Sequence, residues 1–164
     1  MIKNVKWIFV VLIMTSLVSY SFVGKDTPTE GLTIGDKAPS FVVRSDNHQI
    51  NLNDLKGKYV LLSFWASYDA SSRAQNAMID HATRQAKNLS MVSVSFDEYK
   101  SIFDETVKND RLEEQQCYLD MKGESSALYK TYRLDRGFRN FLLNEKGVII
   151  AKDITLSQLS SYLN

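Results

Sequence analysis

The period of apolar and polar positions changes repeatedly along this chain, and each change marks an element. Tyr59–Trp65 is an apolar run too short for a helix and predicts a buried strand of parallel type. Residues 70–88 then lack Gly and Pro and are rich in Ala, Gln, Arg and Met, which predicts a helix with Ala74, Ala77, Met78 and Ala82 as its apolar stripe. Leu89–Phe96 alternates Met91, Val92 and Val94 with serines and predicts the next strand. A second helix follows over Lys100–Lys108, with Ile102, Phe103 and Val107 on its apolar side. Shorter signals predict a strand at Gln116–Leu119 and a helix at Ser125–Tyr132. Strands at Phe141–Leu143 and Val148–Ile150 flank the turn Asn144-Glu145-Lys146-Gly147. Thr155-Leu156-Ser157-Gln158 is a capping-box pattern that opens a last helix. With strands near Phe41–Val43 and Gln49–Leu52, the order is β-β-β-α-β-α-β-α-β-β-α, an α/β arrangement with a central sheet covered on both faces.

The N-terminus has a different pattern. Lys3 and Lys6 precede an apolar stretch from Trp7 to Val18, which reads as a secretory signal at residues 1–21. The small residues Ser19 and Ser21 offer a cleavage site; uncleaved, the stretch to Val23 is long enough for a short membrane anchor. A polar linker at 22–33 leads to a domain at 34–164. The expected location is outside the cytoplasm, in the periplasm or cell envelope, either free or tethered to the inner membrane.

Composition narrows the function. The chain has 164 residues, 44% apolar and 24% charged, and suits one domain with a sizeable core. A formal net charge of +1, without basic runs interleaved with aromatics, excludes nucleic acid as an expected partner. Cys117 is the only cysteine, so no disulfide can form within the chain. It reads either as a small buried hydrophobe or as a lone thiol for intermolecular exchange. His48 and His81 are the only histidines, and neither a metal nor another cofactor is expected. Asp97-Glu98 and Glu113-Glu114 read as solvated charge.

Three segments in order carry a resemblance. They are Gly35-Asp36-Lys37-Ala38-Pro39-Ser40-Phe41, then Leu52-Asn53-Asp54-Leu55-Lys56-Gly57-Lys58, then Ser63-Phe64-Trp65-Ala66-Ser67-Tyr68 leading to Arg73. Over roughly Gly35 to Leu163 the chain resembles the TlpA/ResA-like thioredoxin-fold proteins, relatives of the AhpC/TSA group. The resemblance implies a thioredoxin-like fold: a central mixed β-sheet flanked by helices on both faces, with an N-terminal β extension. It also implies a thiol–disulfide oxidoreductase site, a Cys-x-x-Cys at a helix start whose first thiolate attacks a disulfide. In this sequence the dithiol positions are Asp69 and Ser72, and neither side chain can do that chemistry. The family also places a cis-Pro before its Phe-Leu-Ile-Asp strand; Phe138 stands there, in a trans bond and a reshaped loop, and no Pro follows Pro39.

Asp69 then reads as a helix cap or as an acid–base group for another reaction. The fold implied by the resemblance brings Tyr68–Ser72 near Arg136–Asn140. Trp65, Tyr68, Asp69, Arg73, Arg136, Phe138 and Arg139, with Arg133, would form a cationic and aromatic face for an acidic peptide or partner protein; otherwise those arginines are merely solvated. The expected function is a redox-inactive binding or scaffold protein of the cell envelope, with no catalytic residue. The alternative is thiol-linked oxidoreductase or antioxidant activity through Cys117 or with a competent partner enzyme.

Overall fold

Strand β3 (Tyr59–Trp65) is buried at every position after Tyr59, which places it at the middle of a sheet. The computed structural model describes residues 27–45 and 48–163. The expected signal at 1–21 and the first residues of the expected linker lie outside the described residues. β4 (Leu89–Ser95) pairs with β3 in parallel, with Leu61 opposite Met91 and Phe64 opposite Val94. β6 (Asn140–Leu143) lies antiparallel on the other side, with Leu62 opposite Phe141. β5 (Cys117–Leu119) extends the sheet beyond β4, and β7 (Ile149–Lys152) beyond β6, giving the order β5-β4-β3-β6-β7. β1 (Val42–Arg44) and β2 (Gln49–Asn51) form a separate antiparallel ribbon. The mixed sheet, the element order and the N-terminal β extension are those expected.

Alternation along β3 sorts the core into two faces. Val60, Leu62 and Phe64 pack with Phe96, Phe141 and two tyrosines, Tyr129 and Tyr132, from α3 (Ala127–Thr131) and the turn that ends it. Leu61 faces Ile79 of α1 (Ala70–Thr83) and Leu159 of α4 (Leu156–Leu163). Trp65 meets Phe103 and Val107 of α2 (Lys100–Asn109). Each fully buried residue of this kind contributes on the order of 2 kcal/mol.

Two helices differ from their sequence patterns. α1 stops at Thr83 rather than Asn88. Its chain turns through an Ala86 N–H to Thr83 carbonyl bond and reaches Asn88, whose carbonyl accepts the Tyr59 amide at the start of the sheet. The inward face of α1 is also not the alanine stripe. Ala74, Met78 and Ala82 are exposed, while Ser72, Asn76, Ile79, Asp80 and Thr83 are buried. Those polar residues are inside because they have partners there. The Trp65 indole donates to Ser93 Oγ at 2.8 Å, and Ser93 Oγ donates to Asn76 Oδ1 at 2.9 Å. Asp80 Oδ1 accepts the Glu113 amide at 3.0 Å, and its Oδ2 pairs with Arg84 at 2.6 Å. In α2, Phe103 and Val107 are buried as expected, but Ile102 is exposed and Thr106 points inward instead.

Both termini of the described domain are pinned. Asn144 Oδ1 accepts the Lys146 and Val148 amides, and Gly147 sits at φ 77°, the positive value that the β6–β7 turn needs. Thr155 and Gln158 cap α4 reciprocally: the Thr155 amide donates to Gln158 Oε1 at 3.0 Å, and the Gln158 amide to Thr155 Oγ1 at 3.5 Å. Residues 29–38 form a strap along β7. Gly35 N–H donates to the Ile149 carbonyl, Ile149 N–H to the Asp36 carbonyl, and Ala38 N–H to the Gly147 carbonyl. The expected linker is therefore part of the folded domain from Thr29 onward, and it covers the sheet edge that β7 would otherwise expose. A side chain at Gly31 would collide with the Asp36 carboxylate inside the strap.

Candidate functional site

The turn between β3 and α1 is built from buried anchors and one exposed ring. Trp65 is fully buried, with its ring 6.2 Å from that of Phe103. It therefore supports the turn from below and offers no surface to a partner, contrary to the sequence expectation. Ser67 N–H and Oγ both donate to Asp97 Oδ1, at 3.0 and 2.6 Å. Ser95 Oγ donates to the other Asp97 oxygen at 2.6 Å. Asp97 is thus not solvated charge but a buried clamp between the turn and the end of β4. Tyr68, next along, is 65% exposed.

Asp69 caps α1. Its Oδ1 accepts the Ser72 amide at 2.7 Å, and Ser72 Oγ donates back to the Asp69 carbonyl at 3.2 Å. The carboxylate satisfies one of the free N–H groups of the first turn and faces the positive end of the helix. No titratable side chain bonds to Asp69 among the described residues, so the arrangement gives it no acid–base partner. Ser72 is buried beneath the cap.

The opposing loop is aromatic. Arg133 adopts a left-handed backbone, a short helical turn spans Leu134–Arg136, and Gly137 follows at φ 109°. Phe138 emerges from this loop in a trans bond, as do all described residues. Its ring stacks on Phe96 at 6.1 Å and meets Tyr129 edge-on at 6.1 Å and Tyr68 at 6.2 Å. The structure therefore brings Tyr68 and Phe138 together across the site. Where the resemblance implies a cis-Pro beside a dithiol, Phe138 joins an aromatic cluster with Phe96, Tyr129 and Tyr68.

The expected cationic rim does not form here. Arg73 turns away and binds Asp110 through two bonds, Nε to Oδ2 at 2.6 Å and Nη2 to Oδ1 at 2.7 Å. That pairing raises the guanidinium's already high pKa further. Arg133, Arg136 and Arg139 line a separate pocket against the strap, which shares no residue with the pocket beside Tyr68. The Tyr68 pocket is about 650 Å³ and is lined by Phe96, Asp97, Glu98, Tyr99, Ile102 and Glu124, among others. Tyr99 and Ile102 are 64% and 46% exposed. The Tyr68 hydroxyl is held above its ordinary pKa, first by burial and then by Tyr129, Glu124, Asp97 and Asp69. This face is aromatic and carries three carboxylates against one cation, Lys122. Tyr99, Ile102 and Glu124 were not legible as site residues, since nothing in their spacing separates them from ordinary surface.

Cys117 lies inside β5, packed with Trp65, Phe103, Val107 and Leu112 and only 2% exposed. Burial pushes its thiol up to about 12. His48 packs edge-on against Tyr118 at 4.9 Å, and a His81 ring nitrogen lies 3.2 Å from the Asp110 carbonyl. Among the described residues no group of His, Cys, Asp and Glu is placed to hold a metal ion.

Known proteins place this geometry. The profile of the AhpC/TSA family matches residues 34–152. The thiol-disulfide oxidoreductase ResA of Oceanobacillus iheyensis is 27% identical over 173 residues, 99% of this chain and 90% of that protein. A thioredoxin-like protein from Parabacteroides distasonis shares 42% identity and superposes with a TM-score of 0.73 over 84% of this chain and 98% of its own. A thiol-disulfide oxidoreductase from Bacteroides fragilis shares 26% identity, with a TM-score of 0.65 over 78% of this chain and 97% of its own. The chain belongs to the AhpC/TSA family, in the TlpA/ResA-like thioredoxin-fold group, and has a single cysteine that lies at neither dithiol position.

Proposed function

We propose that this protein is an exported, redox-inactive binding or scaffold protein of the cell envelope, and that it engages a partner through the face around Tyr68 and Phe138. The observation that carries this reading is the occupancy of the dithiol positions. Asp69 and Ser72 are bonded to each other as a helix cap, and neither holds sulfur. The remaining thiol, Cys117, is buried and, with a pKa near 12, almost entirely protonated at neutral pH. Thiol exchange proceeds through the exposed thiolate, so burial and protonation both weigh against the alternative of an enzyme acting through Cys117. Export rests on the N-terminal Lys3, Lys6 and the apolar stretch after them.

The chemistry of the face also bears on the partner. Tyr68, Tyr99 and Ile102 offer exposed apolar surface, and Glu98 and Glu124, with the buried Asp97 behind them, outweigh the one cation there, Lys122. A protein segment carrying basic and aromatic residues fits this face, rather than the acidic one that the arginine-rich sequence suggested. Two measurements test the reading. Reduction of a protein disulfide by the purified chain should match a Cys117→Ala control; a rate well above that control overturns it. A photo-crosslinking residue at position 68 in intact cells should capture an envelope protein through a basic segment, and a Glu98→Lys/Glu124→Lys variant should lose that product.

A further inference from the structure

The three loop arginines that leave the Tyr68 face converge elsewhere. Arg133, Arg136 and Arg139 line a pocket of about 420 Å³ together with Lys152 from β7 and Glu30 and Asp36 from the strap. The volume lies within the range of about 300–1,000 Å³ usual for small-molecule sites. We propose that this pocket binds a small oxyanion carrying at least two negative charges, such as a phosphorylated metabolite. This site is independent of the partner face described above.

The charges in the pocket are only partly neutralised from within. Arg133 and Arg136 have no side-chain partner among the described residues. Arg139 has only Asp153, at 3.7 Å, with Asp153 itself largely in solvent. Lys152 Nζ lies 5.7 Å above the Phe141 ring and makes no ion pair among the described residues. Of the two acids, Asp36 is already committed. It accepts the Thr33 amide at 2.8 Å and the Thr33 hydroxyl, and these bonds hold its carboxyl below its ordinary pKa. Glu30 lines the wall without pairing with any of the cations. Four cations therefore face two carboxylates, and a ligand with two or more charges would balance the pocket.

The pocket is also built rather than incidental. Arg133 holds a left-handed backbone at φ 53°, a conformation rarely adopted by a residue with a side chain, and the next turn follows directly from it. Arg133 stands just ahead of the turn and Arg136 ends it, and both line the pocket. Tyr132, just before, is buried and donates its hydroxyl to the Pro39 carbonyl at 2.7 Å, fixing the arginine loop against the strap. Planar guanidinium forks from several directions are the arrangement that phosphoryl and clustered carboxylate oxygens match best.

Pyrophosphate is the probe, titrated into the full-length chain by calorimetry at low and moderate salt. Saturable one-to-one binding that weakens with salt is expected. Arg133→Gln/Arg136→Gln and, separately, Lys152→Gln should each weaken it by at least about tenfold, as loss of charge-assisted bonds does. Glu30→Gln should tighten it. Unfolding curves of the variants establish that each is folded. No saturable binding to the wild type, or equal affinity in the folded arginine and lysine variants, overturns the proposal. Binding to vesicles of anionic phospholipid without binding to pyrophosphate also overturns it, in favour of a membrane-surface contact.

Discussion

Asp69 stands where the resemblance implies an attacking thiolate, and its carboxylate caps the unpaired amides at the positive end of the helix. Asp69→Ala should cost about 1 kcal/mol in urea unfolding, while Asp69→Asn, which also caps well, should cost much less. Cys117 gives a second test at this scale. Its thiol titrates near 12 in the folded protein against 9.0 for the free group, so the folded state keeps a proton that the unfolded state loses. Stability from this residue is complete below pH 9 and is lost as pH rises toward 12. The slope is up to about 1.4 kcal/mol per pH unit. Cys117→Ala should flatten the stability curve just above pH 9. Above pH 10 the decline should persist, because Tyr132 is also buried and its hydroxyl is likewise pushed up.

Helix α1 shows where sequence pattern and structure part. Its existence, its start and its cap were legible, because Asp69 and the Gly- and Pro-free stretch after it are local signals. Its buried face was not, because that face is polar and is satisfied by residues distant in sequence. Asn76 is inside because Ser93 of β4 reaches it, and Asp80 because the Glu113 amide and Arg84 do. The serines alternating along β4 were the one visible hint, since strand residues spaced by two share a face. Asp80→Ala should therefore destabilise the domain by about 2 kcal/mol, beyond a surface change, because it empties a buried site and leaves the part-buried Glu113 amide without its acceptor. Chemical denaturation of Asp80→Ala beside exposed Asp104→Ala separates the two cases. The β6–β7 hairpin and the α4 cap were read correctly for the opposite reason, since Asn144, Gly147, Thr155 and Gln158 complete their bonds within four residues. Of the candidate site, the pairing of Tyr68 with Phe138 followed from the fold. The destinations of Arg73 and Trp65 did not, because they depend on Asp110 and Ser93, whose positions only the tertiary structure supplies.

Across the whole molecule, the strap and the Tyr132–Pro39 bond tie the N-terminal segment, the arginine loop and the β7 edge into one unit. Tyr132→Phe keeps the ring and removes only that buried hydroxyl bond, leaving the Pro39 carbonyl unpaired. It should cost about 1–2 kcal/mol. Hydrogen exchange at the Gly35 and Ile149 amides, which hold the strap to β7, should quicken more than exchange within β3. A strap that melts independently of Tyr132 would leave those amides unchanged. Phe138 has a consequence at this scale too. Its ring is in contact with Phe96, Tyr129 and Tyr68 at once, and such aromatic pairs contribute about 0.5–1.5 kcal/mol each. Cysteines introduced at 69 and 72 would still stand beside this stack, and a proline introduced at 138 would forfeit all three contacts. Positions 69, 72 and 138 are in this sense coupled: supplying the two sulfurs leaves the stack in place, and supplying the proline removes it.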